Sequence, residues 1–510
     1  MANRLDELYG FYDELVEAEK EGKLLEKTSV YEKIISRALT GDSKEKRLVS
    51  QFIAKFFKHF PELEIRAVEA QIELCDDADI NVRKQAIHDL PSFCARGHDD
   101  PYISRIAIVL CQLLIVEEKG ELAIVEKSLN TLLRQSVHAT VKGVFGQMTS
   151  SVCDDSMRDA CIRFLCSKVN LKVLEKETEQ MMLEEAVKVA TLLGGEEFVL
   201  LLKLLSALKI SKLVVNQQVI LKMIADQLQL SSNPAFDAEH IVKLKTCLPL
   251  AIPFFTPFTP SQPYVTHLVD GFLPKMDVQS PDSLDLLKIL AQISPHYRHL
   301  TDEDNADLKL EFESVLKSLF ERIQEFLPQV PADDDLEKDP ELPSLHLSHL
   351  ECLLLAFNNI ARKVDPAFTK DEALLKSIRQ RLQYLNRGLQ GEAKKLRGLI
   401  SQGVKIDADK RAAMQLALKT IANLTAFIKD WFHNPPAFKT TVAPSWLQNE
   451  SAKKPSASAQ ANGSNQENKR KAIVFENNDA PAKKFGRDSR KLYEPPKGNS
   501  GRGRFRSGRW

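Results

Sequence analysis

The run from Lys44 to Phe93, KEKRLVSQFIAKFFKHFPELEIRAVEAQIELCDDADINVRKQAIHDLPSF, leaves this chain few folds to choose from. Leu48, Phe52, Phe56 and Phe60 recur every four residues, with Val49, Ile53 and Phe57 beside them. That spacing winds one apolar stripe along a helix. Pro61 breaks it, a second helix is expected to run to about Cys75, and a third opens after Asp79, whose carboxylate can cap its first turn. The third carries Val82, Arg83, Ala86 and Leu90. Small Ala86 lets two helix backbones approach closely, and Val82 and Leu90 supply the seam between them.

The order V-R-x-x-A-x-x-x-L is the mark of a HEAT repeat's second helix, and it recurs imperfectly. Arg83 follows Arg47 by 36 residues, and Arg158 follows Arg83 by 75, about two periods of the roughly 30 to 45 residues usual for helical repeats. Around Arg158 the pattern is Met157, Arg158, Cys161, Leu165, with cysteine in the alanine's place. The unit between, with Val125, Leu129 and Leu133, keeps the seam and loses the arginine.

Residues 4 to 38 read as two helices that cap the array, one with Leu5, Leu8, Tyr12 and Leu15 on a face, the other with Val30, Ile34 and Leu39. Past Glu196 the arginine marker disappears and the helices lengthen, so a subdomain boundary is placed near residue 210. Pro249, Pro253, Pro257, Pro260 and Pro263 among Phe254, Phe255 and Phe258 suggest a buried irregular connection. Ser280 with Pro281 reads as an N-cap and first-turn pair. A long amphipathic helix follows over 302 to 327, and others over 345 to 363, 371 to 401 and 407 to 432. No strand-like alternation of useful length appears before residue 440.

The reading is therefore all-α: an elongated helical-repeat solenoid over residues 1–210 and 211–447, with a disordered basic tail at 448–510. Asp333, Asp334, Asp335, Glu337, Asp339 and Glu341, among four prolines, make a mobile acidic loop at 328–343. Lys plus Arg equals Asp plus Glu at 70 each, but the tail holds 15 basic against 6 acidic residues, leaving the body acidic by 9.

Longer runs carry a resemblance. KEKRLVSQFIAKFFKHFPEL (44–63), NVRKQAIHDLPSF (81–93), EEFVLLLKLLSALK (196–209), LECLLLAF (350–357), RLQYLNRGLQ (381–390) and WFHNPPAFKTTVAPSW (431–446) resemble, in order, segments of the apoptosis inhibitor 5 family, also called antiapoptosis clone 11. The resemblance implies a HEAT-like N-terminal half, an armadillo-like C-terminal half, a largely nuclear location, and suppression of programmed cell death through protein contacts. It also implies partners such as the chromatin-condensation factor acinus and a fibroblast growth factor, and a leucine zipper.

Several function classes recede. The sequence contains no G-x-x-x-x-G-K-[ST], no H-E-x-x-H and no G-x-S-x-G, so no enzymatic activity and no cofactor are expected. The start, MANRLDELYGFYDELVEAEK, has charges where a signal peptide needs an apolar run. FVLLLKLLSALKI is cut by Lys203 and Lys209, so no membrane partner is expected. The eight cysteines form no C-x-x-C pair and read as reduced, mostly buried residues. The expectation is a monomer in the nucleus, with some in the cytoplasm.

Five features stand as candidate sites. Lys469, Arg470 and Lys471, then eleven residues, then Lys483, Lys484 and Arg487 have the spacing of a two-part signal for a nuclear import receptor, against a merely solvating tail. The end, GRGRFRSGRW, offers Arg502, Arg504, Arg506 and Arg509 to phosphates and Phe505 and Trp510 to bases, a pattern suited to RNA and equally to an uncommitted basic end. Leu375, Leu382, Leu389 and Leu396 form a leucine heptad, with Ile378, Leu385 and Leu399 between. That stripe could zip with a partner helix, but inside a solenoid it is more often packed on the next helix. Leu201, Leu204 and Leu205 satisfy L-x-x-L-L, where core packing is favoured over docking. His346 and His349, with Cys352 nearby, read as a surface or core pair before they read as a metal site.

Overall fold

Asp42, Asp79, Glu118, Asp154 and Asp237 each turn a carboxylate onto the backbone N–H groups of the helix that starts behind them. Each satisfies donors that a helix start otherwise leaves unpaired. With Gly194 and Ser280 they set the repeat: these seven N-caps are separated by 36 to 43 residues. The computed structural model describes residues 4–94, 97, 100–230, 236–300, 306–330, 346–363, 366–401 and 407–449. They form an all-α helical-repeat solenoid, whose β structure among the described residues is one isolated bridge between Thr256 and Thr259.

Helix α1 (Arg4–Glu21) precedes nine helix pairs. These are α2 (Thr28–Thr40) with α3 (Ser43–Phe56), α4 (Glu64–Leu74) with α5 (Ile80–Asp89), and α6 (Tyr102–Gln112) with α7 (Lys119–Gln135). Next come α8 (Val137–Met148) with α9 (Asp155–Lys168), α10 (Lys176–Ala190) with α11 (Gly195–Ser206), and α12 (Val214–Gln227) with α13 (Ala238–Ala251). The last are α14 (Gln262–His267) with α15 (Pro281–Ile293), α16 (Ala306–Phe326) with α17 (Leu347–Ala361), and α18 (Glu372–Ser401) with α19 (Ala408–Asp430). Second helices stack in order: α3 on α5, α5 on α7, α9 on α11, and so on to α17 on α19. First helices do the same where α6 meets α8, α8 meets α10 and α10 meets α12. Stacking continues through residue 210, and each unit buries its neighbour's apolar face.

The arginine marker proves to be an N-cap register. Four residues past the caps stand Lys46, Arg83, Leu122 and Arg158. Arg83 places its guanidinium fork on both oxygens of buried Glu121, at 2.8 and 2.9 Å, and donates to the Asp77 carbonyl at 2.9 Å. Lys46, not Arg47, is its counterpart in the preceding unit: Lys46 meets Asp77 at 2.6 Å, while Arg47 lies beside it outside that register. In these two units the basic residue ties its helix start to a carboxylate of the next unit, through a lysine in one and an arginine in the other. Arg158 stays within its own turn, donating to the Cys153 carbonyl and to Asp155. In α2 the inward residue is Ala38, while Leu39 points out and is 63% exposed.

Close approach is concentrated where α6 crosses α8. Gly143 faces the Ser104 carbonyl and Ala107 so tightly that an added Cβ would lie 2.5 Å from that oxygen and 2.8 Å from the Ala107 Cβ. Buried Cys111 on α6 and Cys161 on α9 also meet, so α9 leans onto α6 and the 3-10 turn Leu113–Ile115. In consequence α7 and α9 barely touch, a gap in the otherwise continuous row of second helices.

The proline-rich connection is part core and part surface. Pro249 lies inside α13, Phe254 and Phe255 are buried, and Phe258 at the tip is 74% exposed. Ser280 sits at the N-cap of α15 without a side-chain hydrogen bond to it. Every residue of α17 from His349 to Ala361 is buried, because α15, α16 and α19 all pack on it.

Candidate interaction surface

The most elaborated region lies where the chain turns back over α17 and α19. Trp431, just past α19, is buried and stacks on Phe320 and Phe357 with centroids 5.7 and 5.3 Å away, and Phe438 meets its edge at 5.0 Å. From there residues 437–446 form a strap that runs back along both helices, from Asp430 and Arg362 to Asn423 and Glu351. Two buried carboxylates hold it. Asp430 accepts from the Thr440 N–H at 2.9 Å, the Thr440 hydroxyl at 2.8 Å and the Asn358 amide at 3.1 Å. Glu351 accepts from the Ser445 N–H at 3.0 Å, the Ser445 hydroxyl at 2.6 Å and the Asn423 amide at 2.6 Å. Arg362 donates to the carbonyls of Phe438 and Thr440, and Lys419 to that of Pro444. Buried charges survive only with such partners.

The strap forms one wall of a cavity of about 530 Å³. Val442 from the strap and Leu447 from the turn just past it face Ile252, Pro253, Ala291 and Pro295 from α13, α15 and their turns, with Arg362 and Asn359 at the polar edge. The lining is mainly aliphatic. Lys363 next to it donates to the carbonyls of Pro295 and Tyr297, and burial together with Arg362 pulls its ammonium down to about 8. A mostly apolar recess with a few convergent polar groups suits a protruding side chain of a partner.

The other sequence candidates fall as follows. Leu375, Leu382 and Leu389 are buried with Ile378 and Leu385 on one face of α18, Leu396 is half-buried, and Leu399 is 46% exposed. Arg381 anchors the same helix by donating to the carbonyls of Gln324, Leu327 and Pro328 at the end of α16. Leu201, Leu204 and Leu205 are all buried in α11. His349 is buried against Phe326 with ring centroids 5.7 Å apart, and His346 lies 5.2 Å from it; no group of three metal-ligating side chains occurs among the described residues. Of the eight cysteines, Cys166 is exposed and the rest are buried thiols. Lys469, Arg470, Lys471, Lys483, Lys484, Arg487, Arg502, Arg504, Phe505, Arg506 and Arg509 lie outside the described residues, as does the acidic loop beyond Val330.

Sequence reasoning missed the strap's carboxylates, since Glu351 and Asp430 look like ordinary charges on helices; their meaning depends on chain 94 and 10 residues away. It also missed a histidine pair. His240 and His267 set their Nε2 atoms 3.0 Å apart beside Phe236, which leaves room for one proton between them. Burial, helped by His240, pushes His267 down to about 4, and burial does the same to His349. Their folded values lie below the unfolded value near 6.5, so the neutral forms stabilise the fold above pH 6.5, and that contribution is lost as pH falls from 6.5 toward 4. The thermal midpoint should drop across that window, and less steeply in His267→Gln, which keeps a polar neighbour for His240 without titrating. Equal slopes in a pH series of melts would refute the assignment.

No helix among the described residues is long and apolar enough to cross a membrane. The family model of Apoptosis inhibitory protein 5 (API5) matches residues 5–507. Apoptosis inhibitor 5 of Gallus gallus is 34% identical over 538 residues, covering 99% of this chain and 96% of its own. The Homo sapiens protein of that name is 34% identical, covering 97% and 92%. The Apoptosis inhibitor 5 homolog of Drosophila melanogaster is 33% identical, covering 87% and 83%. Among solved structures, a chain from work on tubulin recruitment and assembly by microtubule polymerases with tumor overexpressed gene (TOG) domain arrays is 12% identical, with 77% of this chain and 94% of that chain covered and a TM-score of 0.27, too slight a likeness to argue from.

Proposed function

The chain belongs to the apoptosis inhibitory protein 5 family, and from that premise we propose that it is a nuclear, non-enzymatic scaffold that restrains programmed cell death through protein contacts. The observation that carries this is the mostly aliphatic cavity between α13, α15 and the strap, a preformed seat for a side chain of a partner. The contact partners implied by resemblance, acinus and a fibroblast growth factor, are candidates for such a surface. Nuclear entry is assigned to Lys469, Arg470 and Lys471 with Lys483, Lys484 and Arg487. Neutralising the second cluster should strand a fluorescent fusion in the cytoplasm, and undiminished nuclear signal would remove it as the sole signal.

The decisive experiment is affinity purification of the full-length protein from nuclear extract, with and without ribonuclease, beside an Ile252→Asp/Leu447→Asp variant that places charge in the cavity. Partners that survive ribonuclease and leave with the variant support the scaffold reading, together with loss of protection against an apoptotic stimulus. Protection and partners that are unchanged in the variant overturn the cavity's role. A second reading, an RNA-associated adaptor, is favoured by the Arg-Gly end. It requires partners to vanish with ribonuclease and deletion of 501–510 to weaken RNA binding at low salt.

A further inference from the structure

The gap between α7 and α9 exposes what a regular stack would hide. In α7 the residues Glu121, Val125, Leu129 and Leu132 face the core, while Ala123, Lys127, Asn130 and Arg134 line a bare flank. That flank opens a recess of about 330 Å³, continuous through Asn130 and Arg134 with one of about 360 Å³. The second recess is floored by Leu133, Val169 and Leu174 and edged by Val137 and Val173. Through Val137 and Val173 it runs on into a third, of about 470 Å³, bordered by His138, Glu175 and Glu177. The three recesses make one groove, basic at one end, aliphatic in the middle and acidic at the other.

Two observations say what the groove takes. Val173 is 74% exposed and Val137 36%, side by side over a floor of buried aliphatics, so apolar surface is left without a cover. Around them the charges are not balanced. Glu126 is matched with Lys168 at 2.9 Å across the gap, whereas Lys127 and Arg134 have no ion pair among the described residues. Two such cations on one side of an uncovered aliphatic patch are complementary to carboxylates on one side of an aliphatic side chain.

We propose that the groove between α7 and the chain following α9 docks a peptide segment of a partner protein that presents acidic residues next to an aliphatic anchor. Its carboxylates meet Lys127 and Arg134, and its aliphatic side chain covers Val137 and Val173 over Leu133 and Leu174. The segment takes the place of the missing packing between α7 and α9. This surface is separate from the cavity beside the strap, and does not depend on that cavity's role.

The test is fluorescence polarisation of the full-length protein with three labelled synthetic peptides, EDEELLVSS, its charge-reversed form KRKKLLVSS, and its serine form EDEESSSSS. The first should bind, and more tightly than either other peptide. Lys127→Glu/Arg134→Glu and Val173→Asp, all on the groove's open face, should each weaken that binding roughly tenfold or more, while Val152→Asp, 68% exposed and off the groove, leaves it unchanged. Circular dichroism melts confirm that the variants remain folded. Failure of the first peptide to bind, or binding indifferent to the groove substitutions, as attraction to the basic tail would be, overturns the proposal. A folding failure of the charge pair leaves Val173→Asp to decide alone.

Discussion

Gly143→Val is expected to unfold the N-terminal units at markedly lower urea. A Cβ there would stand 2.5 Å from the Ser104 carbonyl oxygen and 2.8 Å from the Ala107 Cβ, and neither can yield, since one is backbone and the other is a buried stub. Helices α6 and α8 would have to separate along the face where their backbones now lie closest. Overpacking of a filled core costs about 1 to 3 kcal/mol and more where backbone must move, so about 3 kcal/mol is the expected loss. Gly146, three residues on, supplies the control. Its nearest neighbour to an added Cβ is Ile108 Cδ1 at 3.8 Å, ordinary packing distance, so Gly146→Ala should gain stability by up to about 1 kcal/mol through helix propensity. Two glycine substitutions on one helix should thus move the midpoint in opposite directions. Two shifts of like sign would show that α6 and α8 do not approach as described.

The second large effect belongs to the leucine heptad. Leu382 and Leu389 are 1% and 0% exposed, and truncation to alanine removes buried methyl groups and leaves a cavity. Each of Leu382→Ala and Leu389→Ala should cost about 3 kcal/mol. Equilibrium unfolding separates this from a zipper with another protein. If either variant melts like the parent while losing one partner in affinity purification, the stripe is a docking seam and its role in the fold is minor.

Helices were legible in this chain because their signals are local. The four-residue recurrence through Leu48, Phe52 and Phe56 and the cap at Asp79 are properties of neighbouring residues, and the described helices α3 and α5 begin where those residues require. The register marker was legible only in part. Arginine caught the eye at position 47, whereas the residue four past the Asp42 cap that reaches a carboxylate of the next unit is Lys46. Harder still were features made by distance. Nothing near Glu351 announces Ser445, nothing near His240 announces His267, and the gap beside α7 goes with the packing of Cys161 on a later helix against Cys111 on an earlier one. The cavity beside the strap and the groove beside α7 both arise from such long-range placement, so sequence patterns pointed to a binding protein without pointing to where it binds.

The strap carries a further consequence for how the protein is made. Early units are completed by the unit that follows, so they can close one after another as the chain leaves the ribosome. Helix α17 cannot: Glu351 and Asn358 wait for partners as late as Asp430 and Ser445, which lie 72 to 94 residues downstream. Through that interval of synthesis the C-terminal end carries uncovered leucines and an unsatisfied carboxylate, the kind of surface chaperones hold. A message broken before the codons for α19 would leave that state permanent, with the N-terminal repeats already sound, and cellular quality control would meet a product folded at one end and open at the other.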